Sequence, residues 1–192
     1  MQKFSVVYAD PPWPYTDFGS ERASAHMDLM SWSDIRSLDV RSICEKKAAL
    51  FLWATGPFLD KQIRVMAEWG FHYRGVAQVW VKTRKDGGII GAQGGVPTFV
   101  KSKAEFLLVG TTEKKGRPFP IHDLTIPQVR LHPPLAHSRK PDVFRQMIDK
   151  LCGDVAKIEL FARHEWPGWA QSGLEFNTLD YRRGDLVGEQ HG

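Results

Sequence analysis

The stretch Phe4-Ser-Val-Val-Tyr-Ala-Asp-Pro-Pro-Trp13 lies near the start of this chain of 192 residues. Its first six residues are mostly apolar, and a short run of this kind predicts a buried strand. The tetrapeptide Asp10-Pro-Pro-Trp13 then follows at the carboxyl end of that strand. Because ligands bind outside the carboxyl ends of the strands in open α/β sheets, the stretch predicts both a fold class and the position of a site.

The tetrapeptide brings together groups that suit a flat base with an exocyclic amino group. Its two prolines fix the backbone and remove two N–H donors, which leaves the carbonyls of Asp10 and Pro11 free to point into a crevice. The Asp10 carboxylate is a further acceptor, and Trp13 or a neighbouring ring supplies an aromatic face for stacking. The alternative is a strand that ends in an ordinary proline-rich turn. The combination of Asp10, Pro11, Pro12 and Trp13 favours the functional interpretation.

Apolar periodicity along the rest of the chain predicts strands that alternate with helices. Further strands are expected over residues 48–54, 76–81, 105–109 and 157–162. Three helices are expected: one with Ser33 as its N-cap and Ile35, Leu38 and Ile43 on one side, one over residues 59–67 before Gly70, and one from Pro141 to Gly153. This order predicts an α/β protein with a mostly parallel sheet and helices on both faces.

Composition indicates one compact domain, since 42% of the residues are hydrophobic and 25% are charged. We place that domain at residues 1–176 and a polar tail at residues 177–192. Cys44 and Cys152 lie far apart and have no C-x-x-C partner, which argues for a reducing compartment and against a disulfide framework. No signal or membrane-spanning pattern is visible, so a cytoplasmic protein is expected. The histidine spacing fits no common zinc pattern, and no metal is expected.

Two segments expected to be long loops, residues 84–101 and 111–136, are candidates for binding or gating. Basic residues flank a glycine-rich segment in each: Lys82, Arg84, Lys85, Lys101 and Lys103 at the first, and Lys114, Lys115 and Arg117 at the second. With a net charge of +4 and a pI near 9.1, these loops could track a phosphate backbone. The alternative, solvated loops without a ligand, stays open.

The tetrapeptide Asp10-Pro-Pro-Trp13 resembles the signature of amino-methyltransferases, and its tryptophan is typical of the MT-A70 family of N6-adenine methyltransferases. Other segments resemble that family in the same order, so that the similarity covers residues 4–175. These segments are Ala25–Ser31, Leu50–Thr55, Val79–Lys82, Ala104–Gly110, His137–Asp142 and Ile158–Arg163. The resemblance implies a Rossmann-like, class I S-adenosylmethionine-dependent methyltransferase fold in permuted order, with the catalytic motif first and the cofactor-binding strand last.

The resemblance also implies a role for individual residues. The catalytic motif is Asp10, Pro11, Pro12 and Trp13. The implied contacts to S-adenosylmethionine come from Asp10, Ser138, Lys140, Phe161, Arg163 and Glu175. The implied contacts to the substrate come from Trp13, Tyr15, His26, Met27, Lys82, Lys101 and Lys103. Lys140 would take the carboxylate of the methionine part, Arg163 would touch the ribose, and Glu175 would contact ribose or adenine.

Two of these positions have ordinary alternatives. Pro141 at the first helical position places Lys140 beside an N-cap, which suits an anion, but the basic residues of a helix start are often merely solvated. Glu159, which points inward from the last central strand, could be an ordinary paired carboxylate. Departures from the family pattern are Met27 in place of an aromatic residue, Leu174 in place of Asn, and the segment His164-Glu-Trp166.

The expected activity is methyl transfer to the N6 nitrogen of adenine in nucleic acid, with DNA favoured. Hydrogen bonds from the amino group to Asp10 and to the Pro11 carbonyl would localise the nitrogen lone pair, so that no covalent enzyme intermediate is needed. RNA adenosine is the alternative substrate. A catalytically silent, nucleic-acid-binding subunit is the alternative class of protein. A homodimer or a partner subunit could complete the surface that binds nucleic acid.

Overall fold

The computed structural model describes residues 2–14, 29–90, 100, 102–135 and 139–173. The strands within these ranges are β1 (Phe4–Ala9), β2 (Cys44–Thr55), β3 (His72–Lys82), β4 (Ala104–Thr111), β5 (Val129–His132), β6 (Lys157–Leu160) and β7 (Ala170–Ser172). The α-helices are α1 (Trp32–Arg36), α2 (Leu59–Glu68) and α3 (Val143–Cys152), and short 3-10 helices cover Val40–Ile43 and Gly56–Phe58. The expected domain limit at residue 176 and the tail lie outside the described residues.

The strands form one sheet in the order β5-β3-β4-β2-β1-β6-β7. β4 runs antiparallel to both of its neighbours, β2 and β3, and the other adjacent pairs are parallel. The predicted mostly parallel sheet is therefore confirmed. β1 lies between β2 and β6, with Ala9 opposite Leu52 on one side and Leu160 on the other. The first and the last central strands are thus neighbours, as the permuted order implies.

Alternate residues of β1 belong to different cores, because successive side chains of a strand point to opposite faces. Val7 and Ala9 pack in the core that contains Ile35 of α1 and Met66 of α2. Tyr8 packs in the core on the other face, together with residues of α3. Helices therefore cover both faces of the sheet, as predicted, and the strand ends are left for a site.

The helix start predicted at Ser33 is wrong by two residues. Ser31 is the N-cap of α1, because its extended backbone lets the side-chain oxygen accept a hydrogen bond from the Asp34 N–H at 3.1 Å. The expected helix is also split, since α1 ends at Arg36 and the chain re-forms as a 3-10 helix at Val40–Ile43. The end of α2 before Gly70, which has a φ of +84°, agrees with the prediction.

Two short strands, β5 and β7, occur where the sequence predicted none. β7 pairs with β6 at one edge of the sheet. β5 lies in the expected loop 111–136 and pairs with β3 at the edge of the sheet. The apolar side chains of β5 are largely exposed, with Val129 at 55% and Leu131 at 60%. The strand therefore lacks the alternation of buried apolar and exposed polar residues by which a strand is predicted. β6 ends at Leu160 rather than at 162, because Phe161 adopts a φ of +62°.

No helix in the described part of the chain is long and apolar enough to cross a membrane.

Candidate active site

A cleft of about 730 Å³, counted with the open space at its mouth, lies at the carboxyl edge of the sheet. The ends of β1, β2 and β3 supply most of its walls. β4 contributes from its start, because an antiparallel strand brings its amino-terminal end to the edge where its neighbours have their carboxyl ends. The lining residues are Asp10, Pro11, Pro12, Trp13, Trp53, Ala54, Thr55, Trp80, Lys82, Glu105, Pro134, Leu135, Arg139, Lys140 and Arg163.

A chain of alternating charges runs across this cleft. The Lys140 Nζ donates to Asp10 Oδ2 at 2.6 Å and lies 3.3 Å from Glu105 Oε2. Lys82 forms an ion pair with the other carboxylate oxygen of Glu105. The Lys140 side chain is 10% exposed, so that its charge is balanced within the protein rather than by water. We refer to Asp10, Lys140, Glu105 and Lys82 as the charge chain.

Burial and neighbouring charges shift the pKa values of the charge chain in opposite directions. Burial raises the pKa of Asp10 above its ordinary value, and the nearby Lys140 ammonium only partly offsets this. For Glu105, burial is outweighed by Lys140 and Lys82, so that its pKa is lowered. Burial would lower the pKa of Lys140, but Asp10 and Glu105 raise it overall. Lys140 is therefore a cation at neutral pH, and Asp10 is a stronger base than an exposed aspartate.

The Asp10-Pro-Pro-Trp13 motif forms a tight turn rather than an open loop. The Pro11 carbonyl accepts a hydrogen bond from the Trp13 N–H at 2.8 Å, which closes a γ-turn around Pro12. The expectation of a bare Pro11 carbonyl is therefore wrong, because the turn occupies one of its lone pairs. The second lone pair leaves the carbonyl able to accept one further hydrogen bond.

Trp13 is packed into the protein and is 5% exposed. Its indole N–H donates to the Trp53 carbonyl at 3.1 Å, and its ring lies 5.3 Å from that of Trp32 at an angle of 30°. Trp13 lines the cleft but cannot offer a whole ring face to a ligand in this arrangement. Its expected contact with a substrate base stays a prediction.

Two other indoles, those of Trp53 and Trp80, lie beneath the ammonium groups of the cleft. The Lys140 Nζ is 5.3 Å from the centre of the Trp53 ring, and the Lys82 Nζ is 5.1 Å from that of Trp80. Both indole N–H groups are satisfied, that of Trp53 by the Tyr8 hydroxyl and that of Trp80 by the His132 carbonyl. The cleft floor is therefore rigid, aromatic and attractive to cations.

A smaller cavity of about 240 Å³ adjoins the cleft between the ends of β1 and β6. It shares Asp10, Arg139 and Lys140 with the cleft, as well as Arg163. The predicted cofactor residues Lys140, Phe161 and Arg163 thus meet beside Asp10. Arg145 also lines this cavity but is paired with Glu159, so that three other cations, Arg139, Lys140 and Arg163, lie there with an aromatic side chain. These groups suit a ligand that carries a carboxylate and a ring system.

Glu159 is an ordinary paired carboxylate, the alternative that the sequence left open. Its oxygens accept from Arg145 Nε at 2.7 Å and from Nη2 at 2.5 Å, and both side chains are buried. Arg145 Nη1 also lies 3.4 Å from the Lys140 carbonyl, so that the pair supports the backbone on which Lys140 stands. A bidentate pair of this kind fixes geometry as well as charge.

The remaining predicted residues fall into two groups. Lys103 lies outside the cleft lining, and its backbone carbonyl accepts from the Lys82 N–H at 3.0 Å. The others lie outside the described residues, and their roles stay predictions: Tyr15, His26, Met27, Lys101, Ser138 and Glu175. Within the described ranges, no group of three or more His, Cys, Asp and Glu side chains could hold a metal ion.

Neither cysteine takes part in the site. Cys44 and Cys152 are free thiols in the interior, and neither lines the cleft. Burial raises the pKa of each thiol to about 12, so that both are protonated at neutral pH.

Sequence reasoning missed Glu105, Trp53, Trp80 and Arg139 as site residues. The sequence does contain a feature that points to Glu105, since it is a charged residue at the start of an apolar strand. Its place in the site depends on β4 running antiparallel, which no local pattern encodes.

The sheet and the site at its carboxyl edge define an α/β methyltransferase fold. The chain belongs to the MT-A70 family, whose model matches residues 4–175. It is 32% identical, over 91% of its length, to the Type II methyltransferase M.MunI of Mycoplasma sp and covers 78% of that protein.

Eukaryotic relatives are similarly close but much longer. Over 97% of its length, the chain is 30% identical to the N(6)-adenosine-methyltransferase catalytic subunit METTL3 of Homo sapiens, of which it covers 30%. It is 32% identical to the MT-A70-like N(6)-adenosine-methyltransferase of Drosophila melanogaster and covers 28% of that protein.

Proposed function

We propose that this protein is an S-adenosylmethionine-dependent methyltransferase that acts on the N6 nitrogen of adenine in DNA. The observation that carries the proposal is the Asp10 carboxylate, which lies at the end of β1 in a cleft, paired with Lys140 at 2.6 Å. A carboxylate with a raised pKa in this position is suited to accept protons from an exocyclic amino group.

The residues beside Asp10 fit S-adenosylmethionine. The Lys140 ammonium has three N–H donors, of which Asp10 and Glu105 engage two, and the third would bind the carboxylate of the methionine part. Arg163 and Phe161 line the adjoining cavity and would contact the ribose and the ring system. Ser138 and Glu175 would complete these contacts. When bound, S-adenosylmethionine supplies an electrophilic methyl group carried on a sulfonium.

Asp10 and Pro11 would act together on the amino group of the base. One amino proton would be hydrogen-bonded to the Asp10 carboxylate, and the other to the second lone pair of the Pro11 carbonyl. This arrangement would localise the nitrogen lone pair, and Asp10 would accept a proton late in the reaction. Because both thiols are buried and protonated, the chain offers no cysteine nucleophile, as expected for amine methylation.

The nucleic acid would enter from the mouth of the cleft. Trp13 holds the γ-turn that presents Pro11 and Pro12, and Lys82 marks the cationic side. The surface that binds the substrate would be completed by Tyr15, His26, Met27, Lys101 and Lys103. A second copy of the chain or a partner subunit would supply further residues to this surface. The net charge of +4 supports an anionic polymer as substrate. A cytoplasmic location is part of this proposal.

We favour DNA because the chain covers 78% of the Type II methyltransferase M.MunI, whereas it covers 30% of the human N(6)-adenosine-methyltransferase catalytic subunit METTL3. RNA adenosine is the second candidate, supported by the similar identity to METTL3. A catalytically silent subunit is the third, and the intact Asp10-Pro-Pro-Trp13 motif argues against it.

Two measurements on the purified protein test the proposal. Calorimetry with S-adenosylhomocysteine should show one site per chain, and absence of binding would favour the silent subunit. Transfer of labelled methyl groups should occur to DNA oligonucleotides that contain adenine and not to matched oligonucleotides in which adenine is replaced. Equal labelling of both oligonucleotides would contradict the assignment of adenine.

A further inference from the structure

Glu105 connects two lysines from different parts of the fold. It stands near the start of β4, and its two carboxylate oxygens engage Lys82 at the end of β3 and Lys140 just before α3. The Glu105 backbone is fixed on both sides of the strand, by pairing with Thr55 of β2 and Trp80 of β3. The carboxylate is therefore held by the sheet and does not depend on a mobile loop.

The Lys140 ammonium lies between two carboxylates at unequal distances. It is 2.6 Å from Asp10 Oδ2 and 3.3 Å from Glu105 Oε2. Without Glu105, Asp10 would be the one carboxylate among the described residues in contact with this poorly solvated ammonium, and the whole charge of Lys140 would act on Asp10. A carboxylate engaged in this way would be a weaker acceptor for the amino group of a substrate.

We propose that Glu105 is a positioning residue, which shares the Lys140 ammonium with Asp10 and so keeps Asp10 available as an acceptor. This inference rests on the proposed function, in which Asp10 receives the protons of the amino group. Lys82 has a supporting part, because it holds the second oxygen of Glu105 and thereby fixes the direction of the first.

The sign of the effect on Asp10 follows from the charges that face it. These are Lys140 and Arg139 from the segment before α3, Glu105 from β4, Lys82 from β3, Arg163 and His164 after β6, Tyr8 of β1, and beyond them the pair Arg145 and Glu159. Glu105 is a negative charge, so it raises the pKa of Asp10, whereas Lys140 lowers it. Removal of Glu105 should therefore shift the titration of Asp10 to lower pH, and removal of Lys140 should shift it to higher pH.

The direct test is a titration of Asp10 in the ligand-free protein, followed by the NMR signal of ¹³C-labelled aspartate carboxyl carbons. The Asp10→Asn variant assigns the signal by its disappearance. In Glu105→Gln the midpoint should fall by about one pH unit, and in Lys140→Met it should rise. The control Glu68→Gln, which removes a carboxylate from an exposed ion pair with Arg36, should leave the midpoint unchanged.

Activity measurements add a second readout. In Glu105→Gln, kcat should fall about tenfold or more, and the acid limb of the pH profile should move to lower pH with the NMR midpoint. An unchanged Asp10 midpoint in folded Glu105→Gln would overturn the proposal, even if activity falls, because it would show a merely structural role.

If Glu105→Gln does not fold, Glu105→Asp replaces it. That variant keeps the charge but shortens the reach to Lys140, and the same downward shift is expected at smaller size; no shift would overturn the proposal. The titration needs no methyl transfer, so its outcome is separate from that of the proposed function.

Discussion

Lys140 Nζ and Asp10 Oδ2 lie 2.6 Å apart although their residues are 130 positions apart in the chain. Two regular elements bring them together: β1 ends at Ala9, immediately before Asp10, and the segment that carries Lys140 leads into α3. The contact between the Lys140 carbonyl and the buried Arg145 adds a further restraint. The Asp10 carboxylate is thus positioned by the framework of the fold.

Asp10→Ala should retain the fold and lose methyl transfer by about a hundredfold or more, because it removes a contact that strengthens in the transition state. Asp10→Asn should be similarly poor, since its amide presents a donor as well as an acceptor. Single-turnover rates with saturating cofactor check both variants. Near-normal turnover of either protein would exclude Asp10 from the chemistry.

Lys140→Met should weaken binding of S-adenosylhomocysteine by about 1.5–3 kcal/mol, the usual loss for a hydrogen bond to a charged group. Calorimetry measures this directly. Lys150→Met, which removes an exposed lysine from α3, is the matched control and should bind as the unmodified protein does. Unchanged affinity in Lys140→Met would show that Lys140 does not hold the carboxylate of the cofactor.

The pH profile of kcat should show the raised pKa of Asp10. Only the carboxylate can accept protons from the substrate, and burial favours its protonated form. Activity should therefore be present above the raised pKa and be lost as the pH falls through it, with a midpoint above the ordinary range of aspartate. A profile that stays flat down to the pKa of an exposed aspartate would contradict this.

The pair of Arg145 and Glu159 should matter mainly for stability. Arg145→Met leaves the Glu159 carboxylate buried without its partner and should lower the free energy of unfolding by about 3–5 kcal/mol. Replacing both residues by apolar ones should lower it less, because no unpaired charge is then left. Urea unfolding measures both effects.

Arg36→Met breaks a half-exposed pair with Glu68 and is the control, with an expected loss below about 1 kcal/mol. If Arg145→Met lowers the free energy of unfolding by no more than this control does, the buried pair does not stabilise the fold as we infer.

The central part of the fold was predictable because it depends on local patterns. The apolar run Phe4–Ala9 gave the first strand, and Gly70 and Gly153 gave helix ends. The edge strands were not predictable, since β5 and β7 are very short and depend on pairing with a neighbour. The antiparallel direction of β4 was not predictable for a similar reason, because strand direction depends on pairing with distant parts of the chain.

The site was predictable where a motif carries its own chemistry. Asp10, Lys140 and Arg163 were each found in the sequence, and the structure brings them to one cavity. Glu105 was not found, because its role comes from two lysines that lie far from it in sequence. Trp13 shows the converse: the sequence indicated an available aromatic face, whereas packing against Trp32 uses most of it.

The most direct test of the account is to identify the methylated nucleoside. DNA and RNA oligonucleotides of matched sequence, incubated with the protein and S-adenosylmethionine, are digested to nucleosides and analysed by mass spectrometry. We predict N6-methyladenine, formed in DNA more than in RNA, and formed about a hundredfold or more slowly by Asp10→Asn. Methylation of cytosine instead of adenine, or N6-methyladenine formed equally by Asp10→Asn, would contradict the account.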